Sequence, residues 1–291
     1  MMDQSCPICL ESAALVFSNS NWLIAGQCYQ LLKCQACGSV FTAPPPSDAT
    51  LEDFYRTSFN YRWYQDHYDA KLRDCRARIQ EYGPYLGKRV LDFGGGVGYF
   101  SKAASEAGFE STTCDPYINA DISSESQWDS VVALHVLEHS NNLDRTLSQI
   151  KNLLTPGGRI IIAVPNFESL GYQGLGMRWV WAQPPLVHIF HFTASGMKTL
   201  LARHGFSDVD VSYHERWDAN LASDLKHHIR QKYLDSLWGM RLLNRFSLYR
   251  KLVANIVSRL RFADLKQAKK NHSRDSSRYS ELQVVARKST T

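Results

Sequence analysis

Short apolar runs and helical stripes alternate through the middle of the chain. Residues 89–93 read as a buried strand, and 94–98 as a tight glycine turn opening a helix to about Gly108. Residues 111–114 and 130–134 read as the next strands. Leu143, Leu147, Ile150 and Leu154 share a helical face that stops at Thr155-Pro156-Gly157-Gly158, ahead of a strand over 159–164. Thr193 can cap a helix through His204, which Gly205 ends, and 208–213 is a further strand. Strands alternating with helices predict a mostly parallel sheet covered on both faces.

The flanks have different patterns. Residues 1 to about 42 hold five of the seven cysteines and short β-like stretches at 14–17 and 29–32, and a stiff linker follows at Pro44-Pro45-Pro46. Aromatic and charged residues mix over 51–86, where Leu72, Ile79 and Tyr82 stand at helical spacing. Beyond Trp217 a long basic helical stretch intervenes before a strand-like run at 281–286, so the stretch reads as an insertion. The expected division is a small module at 1–43, a linker and helices at 44–85, a core at 86–216 and 280–291, and a basic helical insertion at 217–279.

Composition and charge sharpen this picture. With 291 residues, 44% hydrophobic and 21% charged, the chain can bury one substantial core plus a small module, which excludes general disorder. The net charge is +5, but residues 226–278 carry 14 Lys/Arg against three Asp, a net +11 that leaves −6 elsewhere. Leu242, Phe246, Tyr249, Val253, Ile256 and Leu260 recur there at three- and four-residue steps. Such a helix can lie on an anionic membrane surface through residues 237–262, or pack its stripe on the core or a second subunit. No apolar run approaches the ~20 residues of a membrane span. The first residues lack the basic and apolar regions of a secretory leader. The expectation is a cytoplasmic protein that can be peripheral to the inner face of the membrane.

Seven cysteines in such a setting point to metal rather than disulfides. Cys6-Pro7-Ile8-Cys9 and Cys34-Gln35-Ala36-Cys37 form two C-x2-C pairs 24 residues apart, the arrangement of a zinc ribbon. Four thiolates close a tetrahedral site, so zinc at Cys6, Cys9, Cys34 and Cys37 would be structural, although Cys28 can compete as a ligand.

The turn Asp92-Phe93-Gly94-Gly95-Gly96-Val97-Gly98 lets the backbone approach a ligand closely, and Asp115 ends the following strand about 20 residues on, where a carboxylate can hold a ribose diol. With Cys114-Asp115-Pro116, the block from Trp128 to His139, and Leu153 to Gly158 running into Asn166, the ordered set resembles the class I S-adenosylmethionine-dependent methyltransferases. The resemblance covers roughly 50–215 and 280–288. It implies an α/β, Rossmann-like sheet with helices on both faces. It places Gly94, Gly96 and Gly98 under the cofactor, Asp92 near its amino group, Asp115 on the ribose, Asp121 at the adenine, and His135 at the methionine end.

Methyl transfer to a hydroxyl needs a base, and His139 and His188 follow the fourth and fifth core strands at the carboxyl edge of the sheet, where either can serve. After the fourth strand no Asn/Asp-Pro-Pro-Tyr sequence is present, which argues against amide or adenine amino nitrogens, and no cysteine there or after the fifth strand suits cytosine C5 chemistry. Zinc ribbons before such domains resemble those of sugar, glycan and small-metabolite enzymes and of ribosomal RNA enzymes. Residues 1–42 carry only Lys33 against Asp3 and Glu11, which argues against nucleic acid as a partner. The expected activity is methylation of a hydroxyl on a sugar, glycan precursor or related small metabolite, with lipid-linked acceptors included. An RNA methyltransferase and a non-catalytic scaffold are the alternatives. His135, Glu138, His139 and His188 also resemble the pocket of small-RNA 2′-O-methyltransferases that bind a divalent ion, but His135 stands where that group has a carboxylate, which argues against a hard, oxygen-seeking ion.

Overall fold

A computed structural model describes residues 5–12, 14–16, 22–24, 26–58, 67–115, 127–175, 179, 181–182, 185–215 and 276–290. The chain forms two compact units, one of Met1–Phe167, Trp181–Ser212 and Leu282–Thr291, the other of Glu168–Val180 and Tyr213–Glu281. In chain order the first elements are β1 (Ala14–Val16), β2 (Trp22–Ile24), β3 (Gln27–Cys34), β4 (Val40–Ala43), α1 (Asp48–Ser58), α2 (Tyr68–Tyr82), β5 (Arg89–Phe93), α3 (Tyr99–Glu106), β6 (Glu110–Cys114) and β7 (Trp128–Leu134). There follow α4 (Leu143–Leu153), β8 (Leu154–Pro165), α5 (Leu170–Leu175), β9 (Phe190–His191), α6 (Ala194–Arg203), β10 (Phe206–His214) and β11 (Glu281–Lys288).

Six strands make the central sheet in the order β10-β11-β8-β7-β5-β6, with β5 parallel to both β6 and β7, and β7 parallel to β8. Val90, Leu91, Val131, Val132, Ala133 and Ile160 to Val164 are almost wholly shielded, as uninterrupted apolar runs require when both faces of a parallel strand are covered. Leu72, Cys75, Ile79 and Tyr82 of α2 form one buried cluster with Tyr99, Phe100, Ala103 and Ala104 of α3. Helix α4 starts where Asn142 accepts the Arg145 N–H at 2.9 Å, and it buries Leu143, Leu147 and Ile150. Helix α6 starts at the expected cap, Thr193, whose hydroxyl accepts the Gly196 N–H at 3.0 Å.

The Thr-Pro-Gly-Gly segment behaves differently from expectation. Leu154 already pairs with Trp128, and pairing resumes between Ser130 and Arg159. Residues 155–158 are therefore extra length within the β7–β8 ladder, with Gly157 at φ +74 and the Thr155 hydroxyl on the Trp128 carbonyl.

The cysteine-bearing segment builds a second sheet, β1-β3-β4-β9, with β2 added on β3. Its last strand comes from far along the chain: Val40 pairs with His191 and Phe41 with Phe190, antiparallel. The Arg203 guanidinium donates to the carbonyls of Pro7 (3.0 Å) and Ile8 (2.7 Å), and the Thr193 hydroxyl donates to that of Cys37 (2.6 Å).

In the second unit, the Ser169 hydroxyl accepts the Tyr172 N–H at the start of α5, and the Ser280 hydroxyl donates to Glu215 at 2.8 Å. Asp121, most of the basic insertion and the surface expected at 237–262 lie outside the described residues. Among the described residues no helix is long and apolar enough to cross a membrane.

Candidate active site

Strand β5 sits between β6, which follows it in the chain, and β7, so the direction of winding reverses beside it. Such a switch point opens a crevice at the carboxyl ends of the strands. The glycine turn leaves β5 there. Gly94 has φ +70, and a Cβ on it would lie 2.6 Å from Val136, which follows β7, so the two strand ends meet closely. Gly96 has φ +57 and nothing within 4 Å of the position its Cβ would take, so backbone is presented to open space. Gly98 caps α3 in the left-handed conformation.

Two carboxylates shape this turn. Asp115 accepts the Gly96 N–H at 2.9 Å. Asp92, expected near the cofactor amino group, is 2% exposed, and its Oδ2 accepts from Ser101 N–H (3.3 Å) and the Thr113 hydroxyl (3.4 Å). A Cβ on Gly95 would collide with that carboxylate. Burial, helped by the charge of Asp115, pushes the Asp92 carboxyl up to about 7 against those two hydrogen bonds.

Beyond β7 the chain makes a 3-10 turn, Leu137–His139. His135, just before it, is a non-glycine residue at φ +56, with Nδ1 3.1 Å from Glu138 Oε1 and its ring stacked at 6.4 Å on Trp181. His139 Nδ1 lies 2.5 Å from the Val187 carbonyl, and His188 Nδ1 lies 2.7 Å from the Trp181 carbonyl. A carbonyl oxygen only accepts, so each Nδ1 carries the hydrogen, which leaves Nε2 as the ring nitrogen able to accept. Burial, and then the neighbouring His139 and His191, hold the His188 pKa well below the ordinary histidine value, so this ring is neutral at pH 7. The His139 and His188 rings meet edge to face at 4.9 Å. The Ile189 N–H donates to the Glu138 carbonyl at 2.7 Å and locks the two segments together.

The burial of two acid–base groups and one strand pairing here are not legible in the sequence. Glu138 is 1% exposed, and its Oε2 has no hydrogen-bond partner. His191 is buried with Nε2 unpartnered, and burial lowers its pKa to about 4. Strand β9 holds the histidine segment against β4. The repetition of histidine at 188 and 191 just before the Thr193 cap was the available signal.

The Sγ atoms of Cys6, Cys9, Cys34 and Cys37 all lie within 4.8 Å of one another, with Cys6 to Cys37 at 3.9 Å and Cys9 to Cys34 at 3.5 Å. These separations are too long for disulfides. They bracket the ~3.8 Å edge of a tetrahedron built on Zn–S bonds of about 2.3 Å. Gly38 N–H donates to the Cys34 carbonyl at 3.0 Å and closes the second knuckle. Cys28 is exposed and stands outside the cluster.

A family model described as a methyltransferase domain matches residues 64–211. Among curated proteins, the chain is 22% identical over 223 residues to 6-hydroxymellein synthase cdmE of Talaromyces verruculosus, which covers 62% of this chain and 8% of that one. It is 32% identical over 113 residues to the hybrid PKS-NRPS synthetase iccA of Talaromyces variabilis, covering 35% of this chain and 3% of that one. The chain thus spans less than a tenth of the length of these relatives. A solved S-adenosylmethionine-dependent methyltransferase from Archaeoglobus fulgidus aligns at TM-score 0.48 and 19% identity, covering 79% of this chain and all of that one. The phosphoethanolamine N-methyltransferase 2 of Haemonchus contortus, in complex with S-adenosylmethionine, aligns at 0.47 and 15%, covering 94% and 72%. The family match spans half of the chain and takes in β5 through most of β10 with the glycine turn, so this protein belongs to the methyltransferase-domain family.

Proposed function

We propose that the chain methylates a hydroxyl group of a sugar, glycan precursor or related small metabolite, lipid-linked acceptors included. The observation that carries this reading is the pair of accepting Nε2 atoms on His139 and His188, held by backbone carbonyls just beyond the end of β7. S-adenosylmethionine supplies a methyl group on sulfur that is already an activated leaving group. The protein is left to position the acceptor and manage the hydroxyl proton. An imidazole with Nε2 able to accept a proton suits that second task, and it offers little to an acceptor that brings its own lone pair. The relatives named as a 6-hydroxymellein synthase and a hybrid PKS-NRPS synthetase support a small-metabolite acceptor.

Cofactor roles follow from the same geometry. The open space at Gly96 admits the ligand, Gly94 and Gly98 shape the turn, and Asp92 supports it from beneath. Asp115 accepts the Gly96 N–H and is the carboxylate we assign to the ribose hydroxyls, while His135 is assigned to the methionine end. Zinc in the four-cysteine cluster fits the sulfur separations and would be structural, since four thiolates leave no open position.

Calorimetric titration with S-adenosylmethionine, followed by transfer of labelled methyl to nucleotide sugars and lipid-linked glycans, tests the reading. Binding with label on a sugar hydroxyl is expected. Binding with label incorporated only into RNA, or into no hydroxyl acceptor, would overturn it.

A further inference from the structure

We infer that Ser39 is a positioning residue for His188, and that the cysteine-bearing sheet is the mount on which the segment 188–193 is set for methyl transfer. The inference rests on the reading above for the part His188 plays. It gives that sheet a share in the chemistry.

The segment is held from two sides. Toward the central sheet, the Ile189 N–H donates to the Glu138 carbonyl at 2.7 Å and the Phe167 N–H to the Phe192 carbonyl at 3.0 Å. Toward the cysteines, the Thr42 N–H donates to the Ile189 carbonyl at 2.9 Å, β4 pairs with β9, and the Thr193 N–H donates to the Ser39 hydroxyl oxygen at 3.2 Å. Ile189, next to His188, is thus clamped between Glu138 and Thr42.

Ser39 is fully buried at the far end of this segment. The Thr193 hydroxyl gives its hydrogen to the Cys37 carbonyl and accepts the Gly196 N–H, so at 3.2 Å it is Ser39 that donates to Thr193 Oγ1. One hydroxyl therefore holds both the main chain and the side chain of Thr193. The Ser39 carbonyl accepts the Cys34 N–H at 2.9 Å, which ties the same residue to the second cysteine knuckle. A Cβ on Gly196 would collide with Ser39 Oγ, so glycine there is what lets the contact form. Removing the hydroxyl takes the acceptor from a buried N–H, and the segment must shift to satisfy it. A displacement of about 1 Å at a reacting group can cost about 100-fold in rate.

The test compares the full chain with Ser39→Ala, His188→Gln and the double variant, each checked for folding by circular dichroism and for S-adenosylmethionine binding by calorimetry. Ser39→Ala is expected to lower turnover at least ~10-fold with the cofactor dissociation constant unchanged, and to cause no further loss in the His188→Gln background. The His188 ring signals in carbon–proton NMR, identified by their loss in His188→Gln, are expected to move in Ser39→Ala while those of His67 stay. Gly196→Ala, which pushes a methyl group against the same hydroxyl, is expected to act in the same way and serves if Ser39→Ala does not fold. Unchanged turnover in a folded variant overturns the inference, as does an equal loss with and without His188, the mark of a merely structural role. The two readings fail separately. Wild type that transfers no methyl to any hydroxyl, with the ring signals still moved by Ser39→Ala, removes the function and leaves the positioning; full transfer to a hydroxyl by Ser39→Ala does the reverse.

Discussion

Replacing Asp92 with Asn should flatten the dependence of stability on pH. The Asp92 carboxyl sits under the glycine turn at 2% exposure, and burial raises its pKa from 3.8 to about 7. In the unfolded chain the group ionises near 3.8, so between these values the folded protein keeps a proton that the unfolded chain has lost. Stability is therefore intact below about pH 4 and falls as pH rises toward 7, by about 4 kcal/mol in all for a shift of roughly three units at 1.36 kcal/mol each. About 3 kcal/mol of that loss lies between pH 5 and pH 8. Asparagine has nearly the same shape, can still accept from Ser101 N–H or Thr113, and does not titrate. Urea unfolding of the cofactor-free protein at the two pH values should show wild type losing about 3 kcal/mol more than the variant. Parallel losses in the two proteins would refute the burial argument, since they would mean that Asp92 is ionised in the folded state at pH 5.

Other substitutions probe the same geometry. Gly95→Ala puts a methyl group against the Asp92 carboxylate; the strain should cost roughly 1–3 kcal/mol in urea unfolding and weaken S-adenosylmethionine binding measured by calorimetry. Asp115→Ala releases the Gly96 N–H and removes a ribose partner, so the cofactor dissociation constant should rise about tenfold or more, the loss of one charge-assisted hydrogen bond. His139→Ala should lower turnover about 100- to 10,000-fold while cofactor binding is kept, a split visible by pairing a methyl-transfer assay with calorimetry. Cys37→Ser should lower both the zinc content and the melting temperature, and a strong chelator should do the same to wild type.

Where one segment carried its own pattern, the sequence was a good guide. Residues 89–93 form the strand read from their apolar run, and Thr193 caps its helix because its hydroxyl reaches Gly196 within the same turn. The glycine turn was recognisable because positive φ leaves a mark on residue type. Features made by distant residues left no such mark. A two-residue strand at 190–191 is too short for a period, and its pairing with 40–41 depends on how the chain returns. Glu138 was invisible as a buried acid because its neighbours in sequence do not bury it; the loop carrying Val187 to Ile189 does. Asp92 was noticed, but its contacts with Ser101 and Thr113 were not, since spacing tells which strand end a carboxylate occupies and not which way its oxygens turn.

The pairing of β4 with β9 bears on how this protein could be taken apart or recombined. A ribbon on a linker could be cut away or exchanged between enzymes like a bead on a string. Here a cut at the three prolines would strip β4 from β9, leaving an open strand edge two residues beyond His188 and a vacant face on the Thr193 cap. The freed piece would have a sticky margin prone to pairing with other chains. A chimera that keeps the enzyme intact must therefore carry across not only the cysteines but also residues 39–43, together with an acceptor strand matched to 190–191, as one joint.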